Sequence, residues 1–296
     1  MDTWHENTPF CHAVCSLGKD KKMCNENCMK LDDATKNNVC ELQKMVGSFV
    51  TPISKIIKHQ EGAHWGTGSY IERNKKKYII TNEHVAAGLN SNSLACHFGG
   101  TDNYVRIRCP FAAVGYPNDV ACAAILDEDW DSFHCQSNSI PQTMFDTSFN
   151  AVENELFFLE GFAGERSGMW EDYLITPPTP LLTYQVELPE SYIPQAHFAL
   201  RYDVDNFTCL TDKTFLPSPP GMSGSLVWNT KIIECKNKGI TWTKEMPKVV
   251  GIIHRYNGDE KIVVATKIEY MRIDDLCSVA EQEKVIVQNQ LSAQKN

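Results

Sequence analysis

The chain has 296 residues, 42% of them apolar and 22% charged, the make-up of a globular protein long enough to bury a sizeable core. A formal net charge of -9 argues against nucleic acid or an anionic membrane surface as the main partner, because both attract basic faces. No stretch approaches the roughly 18 consecutive apolar residues of a membrane-spanning helix. The first residues also lack the basic-then-apolar layout of a secretory leader, so a cytoplasmic location is expected.

Residues 1–44 are polar, rich in cysteine and expected to be helical in part. Five of the twelve cysteines fall here: Cys11, Cys15, Cys24, Cys28 and Cys40. Cys11 and Cys15, and again Cys24 and Cys28, are spaced to share one face of a helix. A turn around Gly18–Lys22 would let two such helices face each other. Four thiolates could then hold a structural zinc ion, with His5 and His12 as spare ligands. Two disulfides stapling a helical hairpin, or simple packing, are the alternatives, and a reducing compartment disfavours the disulfides. The other seven cysteines are scattered and read as small core hydrophobes.

From Met45 the texture changes. Short runs of strand character appear at 46–53, 68–71, 78–81, 104–107, 120–125, 156–159, 181–186, 225–228, 249–253 and 262–265, parted by Gly, Asn, Pro and charged clusters. Many short strands with frequent turn signals predict an all-β barrel or sandwich. Asn74-Lys75-Lys76-Lys77 reads as a solvated hairpin tip. The polar stretch 135–150 reads as a linker between two halves, and 278–296 as a surface helix or frayed tail.

Three local motifs carry chemistry. Pro220-Gly221-Met222-Ser223-Gly224-Ser225 precedes an apolar run. A serine hydroxyl needs a base to take its proton and donors to hold the resulting oxyanion. Gly221 allows a sharp turn, so the amides of Gly221 and Ser223 can point at one spot. Tyr78–Ala86 brings in a strand and sets His84 just past its end, a rigid mount for a base. Asn118-Asp119-Val120-Ala121 opens an apolar strand with a carboxylate, which is costly to bury without a fixed partner. His84, Asp119 and Ser223 follow in that order, about 35 and then about 100 residues apart, as suits a triad assembled between two lobes.

Gly66-Thr67-Gly68-Ser69-Tyr70-Ile71, Thr81-Asn82-Glu83-His84-Val85, Asp119-Val120-Ala121 and Gly221–Ser225 together resemble the trypsin-like serine peptidases, especially their bacterial and viral members. Leu159-Glu160-Gly161-Phe162 is similar to the turn that opens the family's second barrel, and Val249–Ile253 to the strand lining its specificity pocket. The resemblance covers roughly residues 46–277. It implies an all-β, chymotrypsin-like fold of two orthogonal six-stranded barrels, flanked by the small Cys-rich N-terminal module and a C-terminal helix. It further implies a His84, Asp119, Ser223 triad, an oxyanion hole from Gly221 and Ser223, a protein or peptide substrate, and no catalytic cofactor.

One departure concerns activation. Met222 stands where pancreatic members carry an Asp that pairs with a newly cut N-terminus, so that ion pair is not available. In the family the pocket floor lies six residues before the nucleophile, which here is Pro217, with no negative charge to meet Lys or Arg. His254, Arg255 and Tyr256 would form the far wall. His254 falls where a serine bonding the triad Asp is usual, so it could contact Asp119 or line the pocket. Asp259 is the runner-up source of a negative charge. The competing reading is a non-catalytic domain of the same fold that binds a peptide in its cleft.

Overall fold

In a computed structural model of the protein, the described residues are 31–58, 61–87, 94–99, 104–170, 173–205 and 216–294. Cys11, Cys15, Cys24 and Cys28, and with them the expected zinc site, lie outside the described residues.

Helix α1 (Asp33–Gly47) is capped by the Asp32 carboxylate, which accepts from the Thr35 amide at 2.8 Å. Thr35, Val39, Leu42 and Val46 recur on one stripe and are buried. The change of texture at Met45 therefore lies inside a helix. The first strand, β1 (Val50–Lys58), starts at Val50 rather than Val46, because Val46 is needed on the buried face of α1.

Strands β2 (Glu61–Arg73) and β3 (Lys76–Thr81) form a hairpin closed by Asn74 and Lys75, both with positive φ, as a tight two-residue turn requires. A one-turn helix, α2 (Glu83–Ala86), follows β3 directly. Strands β4 (Leu94–His97), β5 (Tyr104–Arg106), β6 (Ala112–Val114) and β7 (Val120–Ala124) complete an antiparallel sheet ordered β5-β4-β1-β2-β3-β7-β6. Among the described residues this half thus has seven strands where six were expected. Helix α3 (Asp127–Phe133) supplies Trp130, which packs with Tyr70, Phe98 and Ile79 inside the sheet.

The polar connection at 134–150 is tied to both halves. Ile140 is fully buried and bridges Ile71, while Phe145 bridges Val249. The second half begins with β8 (Leu156–Gly161), a small hairpin of β9 (Gly168–Trp170) and β10 (Tyr173–Ile175), then β11 (Thr179–Val186) and β12 (His197–Arg201). Strands β13 (Leu226–Asn229), β14 (Lys248–Asn257) and β15 (Ile262–Lys267) close it into a six-stranded barrel, β11-β12-β15-β14-β13-β8. Phe157, Leu159, Leu200, Val227, Val250 and Val263 are among the side chains filling the barrel. Between β13 and β14, helix α4 (Ile232–Lys238) is held by the Glu155 carboxylate, which accepts from the Ile233 and Glu234 amides at 3.0 and 2.9 Å.

The C-terminal helix α5 (Ile273–Gln294) returns to the first half. Leu276, Cys277, Ala280 and Lys284 are buried, so its first turns are part of the packed structure. One core cluster joins the halves: Ile80, Val120 and Cys122 from the first meet Phe158, Trp228 and Val249 from the second, with α1 and α5 at its flanks. Among the described residues no helix is long and apolar enough to cross a membrane.

Candidate active site

Strands β3 and β7 pair antiparallel, with Thr81 opposite Ala121. Residues just past the end of β3 and just before β7 must therefore meet. The first group contains His84, on α2, and the second contains Asp119. Asp119 has φ 48°, in the left-handed region that Asp tolerates better than most residues. Its carbonyl accepts from the Asn82 side chain at 2.7 Å, which ties the two ends together.

Both carboxylate oxygens of Asp119 are engaged by one residue. The His84 amide donates to Oδ1 at 3.0 Å, and the His84 ring donates from Nδ1 to Oδ2 at 2.7 Å. With the proton on Nδ1, the ring presents the Nε2 lone pair, the tautomer a general base needs. Burial disfavours the Asp119 carboxylate, but the bonds from the His84 ring and amide outweigh it and hold its carboxyl below the ordinary range. The His84 side chain remains half-exposed, open to a substrate.

The second half of the molecule pins the loop before Asp119. Thr266 Oγ1 donates to the Asn118 carbonyl at 2.7 Å, the Asn118 side chain donates to the Tyr270 carbonyl, and His197 Nε2 donates to the Pro117 carbonyl at 2.8 Å. Behind Asp119 lies His254, at an irregularity of β14 between Ile253 and Arg255. Its Nδ1 is 3.9 Å from Asp119 Oδ2, and its ring is 4.8 Å from that of His197. Burial first, and the neighbouring His197 second, push its pKa down to about 4, so it stands neutral behind the carboxylate.

Ser223 sits between Gly221 and Gly224, whose φ values are 96° and 93°. A Cβ at Gly221 would fall 2.5 Å from His64 Nε2, and one at Gly224 2.0 Å from the Thr67 carbonyl, so only glycine fits either place. The Pro220 carbonyl accepts from the Gly164 amide at 2.8 Å. The Met222 carbonyl accepts from the Ser225 amide at 3.0 Å and from Ser225 Oγ at 2.7 Å. In a trans peptide the N–H points opposite to its carbonyl. The N–H groups of Gly221 and Ser223 therefore point away from these anchors, which leaves both available for an oxyanion. Thr67 clamps the turn from β2: its amide donates to the Ser223 carbonyl at 2.9 Å and its hydroxyl to the Gly221 carbonyl at 2.8 Å.

Gly66 lies where the helix of His84 and the turn of Ser223 approach. A Cβ there would fall 2.8 and 2.9 Å from the two methyl carbons of Val85, and 3.5 Å from the Ser223 carbonyl oxygen. Beneath the turn, His64 Nε2 donates to the Phe162 carbonyl at 2.7 Å. Burial lowers the pKa of this ring.

Of the expected pocket residues, Pro217 is buried and its carbonyl accepts from the Tyr202 hydroxyl at 2.9 Å. Tyr256 packs edge-on against the same Tyr202, with ring centres 5.9 Å apart. Arg255 and Asp259 are exposed, and His254 turns toward Asp119 instead. The sequence reading missed Tyr202, His197 and His64. None lies in a motif of its own, and His197 sits on a five-residue strand that carried no alternating signal. The run Ala63-His64-Trp65 immediately before Gly66 was the nearest available hint.

No protein-family model matches the chain, and no curated protein matches it. Solved structures do. A catalytically active tobacco etch virus protease complexed with product is 11% identical with a TM-score of 0.44, over 78% of each chain. The active form of the Rv3671c protease from M. tuberculosis is 16% identical with a TM-score of 0.43, over 80% of this chain and 82% of that one. A scabies mite inactivated protease paralogue is 13% identical with a TM-score of 0.49, over 79% and 94%. At these identities the likeness assigns no role to any residue.

Proposed function

We propose that the chain is a serine endopeptidase of the trypsin-like family, with the texture of its bacterial and viral members. The observation that carries this reading is the double hydrogen bond from His84 to Asp119, together with Gly66 packed between the helix of His84 and the turn of a glycine-framed Ser223 whose flanking amides point away from their anchors.

In this reading His84 Nε2 takes the proton of Ser223 Oγ as that oxygen attacks a peptide carbonyl. Asp119 holds the ring in the required tautomer and stabilises the imidazolium that forms. The amides of Gly221 and Ser223 receive the oxyanion. His84 then gives its proton to the leaving amine, and water drawn through the same base frees the acyl group from Ser223. No cofactor takes part. Buried Met222 offers no partner to a new N-terminus, and bonds from Thr67 and Gly164 already brace the turn, so competence would not depend on that ion pair.

The substrate is a protein or peptide. Neither Pro217 nor Tyr256 offers a negative charge to a Lys or Arg side chain, which favours a small or apolar residue before the cut bond. The test is a cleavage profile on a proteome-derived peptide library, with Ser223→Ala protein as control. The reading expects cuts that vanish in the control; an identical profile from both proteins would overturn it.

A further inference from the structure

Cys122 and Cys277 are 155 residues apart in sequence, yet their sulfurs are 3.7 Å apart. Cys122 is on β7, the strand that Asp119 opens, and Cys277 is in the second turn of α5. Both are buried, at 0% and 4% exposure. Two thiols in van der Waals contact need only small side-chain rotations to reach bonding distance, provided the two backbones stay where they are.

Here they are held there. On α5, Asp274 pairs with Arg73 of β2 at 3.1 Å, and Glu281 pairs with Lys76 of β3 at 2.6 Å. Lys284, almost wholly buried, pairs with Asp127 of α3 at 2.8 Å. These three ion pairs span the helix from one turn before to two turns after Cys277, and fasten it to three elements around β7. The thiol pair is thus set in a fixed frame, where the groups to be linked are already neighbours.

We propose that Cys122 and Cys277 form a reversible disulfide, a modification site that staples the C-terminal helix to the strand adjoining Asp119. With a disulfide oxidant such as oxidised glutathione, the Cys277 thiol loses its proton and its sulfur attacks a glutathione sulfur, releasing one glutathione thiolate. Cys122 then attacks the Cys277 sulfur of the mixed disulfide and releases the second. Two protein thiols lose two protons and two electrons, and one oxidised glutathione becomes two reduced molecules. Burial raises the Cys122 thiol well above its usual range, which slows attack in the closed structure. Exchange therefore proceeds during folding or when the first turns of α5 lift, and the bond once made is equally shielded from reduction. Joining residues so far apart in sequence removes much freedom from the unfolded chain.

The test uses full-length purified protein, incubated with excess oxidised glutathione, then alkylated in denaturant, digested and read by mass spectrometry. The expected product is a linked pair of peptides containing Cys122 and Cys277, separable by dithiothreitol. With it comes a rise in Tm on the order of 10 °C over reduced protein. Cys122→Ala and Cys277→Ala should each abolish both signals, whereas Cys135→Ser, at an exposed position, should leave both intact. Recovery of Cys122 and Cys277 as alkylated thiols after oxidation, or of Cys122 linked mainly to other cysteines, would overturn the proposal from the wild-type protein alone.

Discussion

The Asp119 carboxylate takes two hydrogen bonds from His84, one from the ring at 2.7 Å and one from the backbone amide at 3.0 Å. The amide bond fixes where the carboxylate sits, and the ring bond fixes the tautomer. Asp119→Asn keeps the size but can offer the ring an N–H in place of an acceptor. The expected result is a loss in kcat of about 10,000-fold with little change in stability, measured as peptide hydrolysis beside a thermal melt.

Gly66 keeps the His84 helix and the Ser223 turn in close approach. Gly66→Ala forces Val85, and His84 with it, to move by a fraction of an ångström. A loss in kcat of about 10- to 100-fold is expected, with KM little changed. The double variant Gly66→Ala, Val85→Ala removes both obstructing methyl groups and should recover most of the loss. Steady-state kinetics of the three proteins form the check.

His254 is neutral and buried, with its pKa pushed down from 6.5 to about 4. Between those values the unfolded chain binds the proton and the folded one does not. The stabilising contribution is therefore complete above about pH 6.5 and is lost as pH falls toward 4. In urea unfolding, wild type should lose about 2 kcal/mol more between pH 7 and pH 4.5 than His254→Asn does. Parallel pH profiles for the two proteins would contradict this.

Glu160 has the opposite sign. Burial alone lifts its carboxyl from 4.5 to about 8, and Oε2 has no hydrogen-bond partner among the described residues. Folding keeps the proton that the unfolded chain releases, so stability falls as pH rises from about 4.5 to 8. Glu160→Gln should flatten that decline in Tm between pH 5 and pH 8.

Much of this layout was legible because the chemistry lies in short local runs. His84, Asp119 and Ser223 each sit at a strand end or between glycines, and the ten expected strands all overlap observed ones. The strands that escaped, β4, β6, β9, β10 and β12, are three to five residues long, too short to display a period. The strand expected from Val46 begins at Val50, because α1 runs on through Met45 and buries Val46 on its own face. The neighbourhood of His254 depends on a register shift in β14, which no local pattern announces. The contact between Cys122 and Cys277 depends on where α5 docks, a tertiary fact.

In the proposed reading, specificity follows from the absence of an acidic residue at Pro217. Pro217 is buried, its carbonyl accepting from the Tyr202 hydroxyl, and Asp259 is exposed. Peptides with Lys or Arg before the cut should be poor substrates beside those with small or apolar residues. A library varied only at that position measures this. A dominant preference for Arg or Lys that disappears in Asp259→Asn would locate the pocket floor at Asp259.

The central claim is that Ser223 is an activated nucleophile, and covalent labelling by a fluorophosphonate tests it most directly. The reading predicts one adduct on the native protein, mapped by mass spectrometry to Ser223. It predicts no adduct in Ser223→Ala and strongly slowed labelling in His84→Ala, with both variants folded by circular dichroism. Folded wild-type protein that stays unlabelled, or an adduct on another residue that persists in Ser223→Ala, would contradict it.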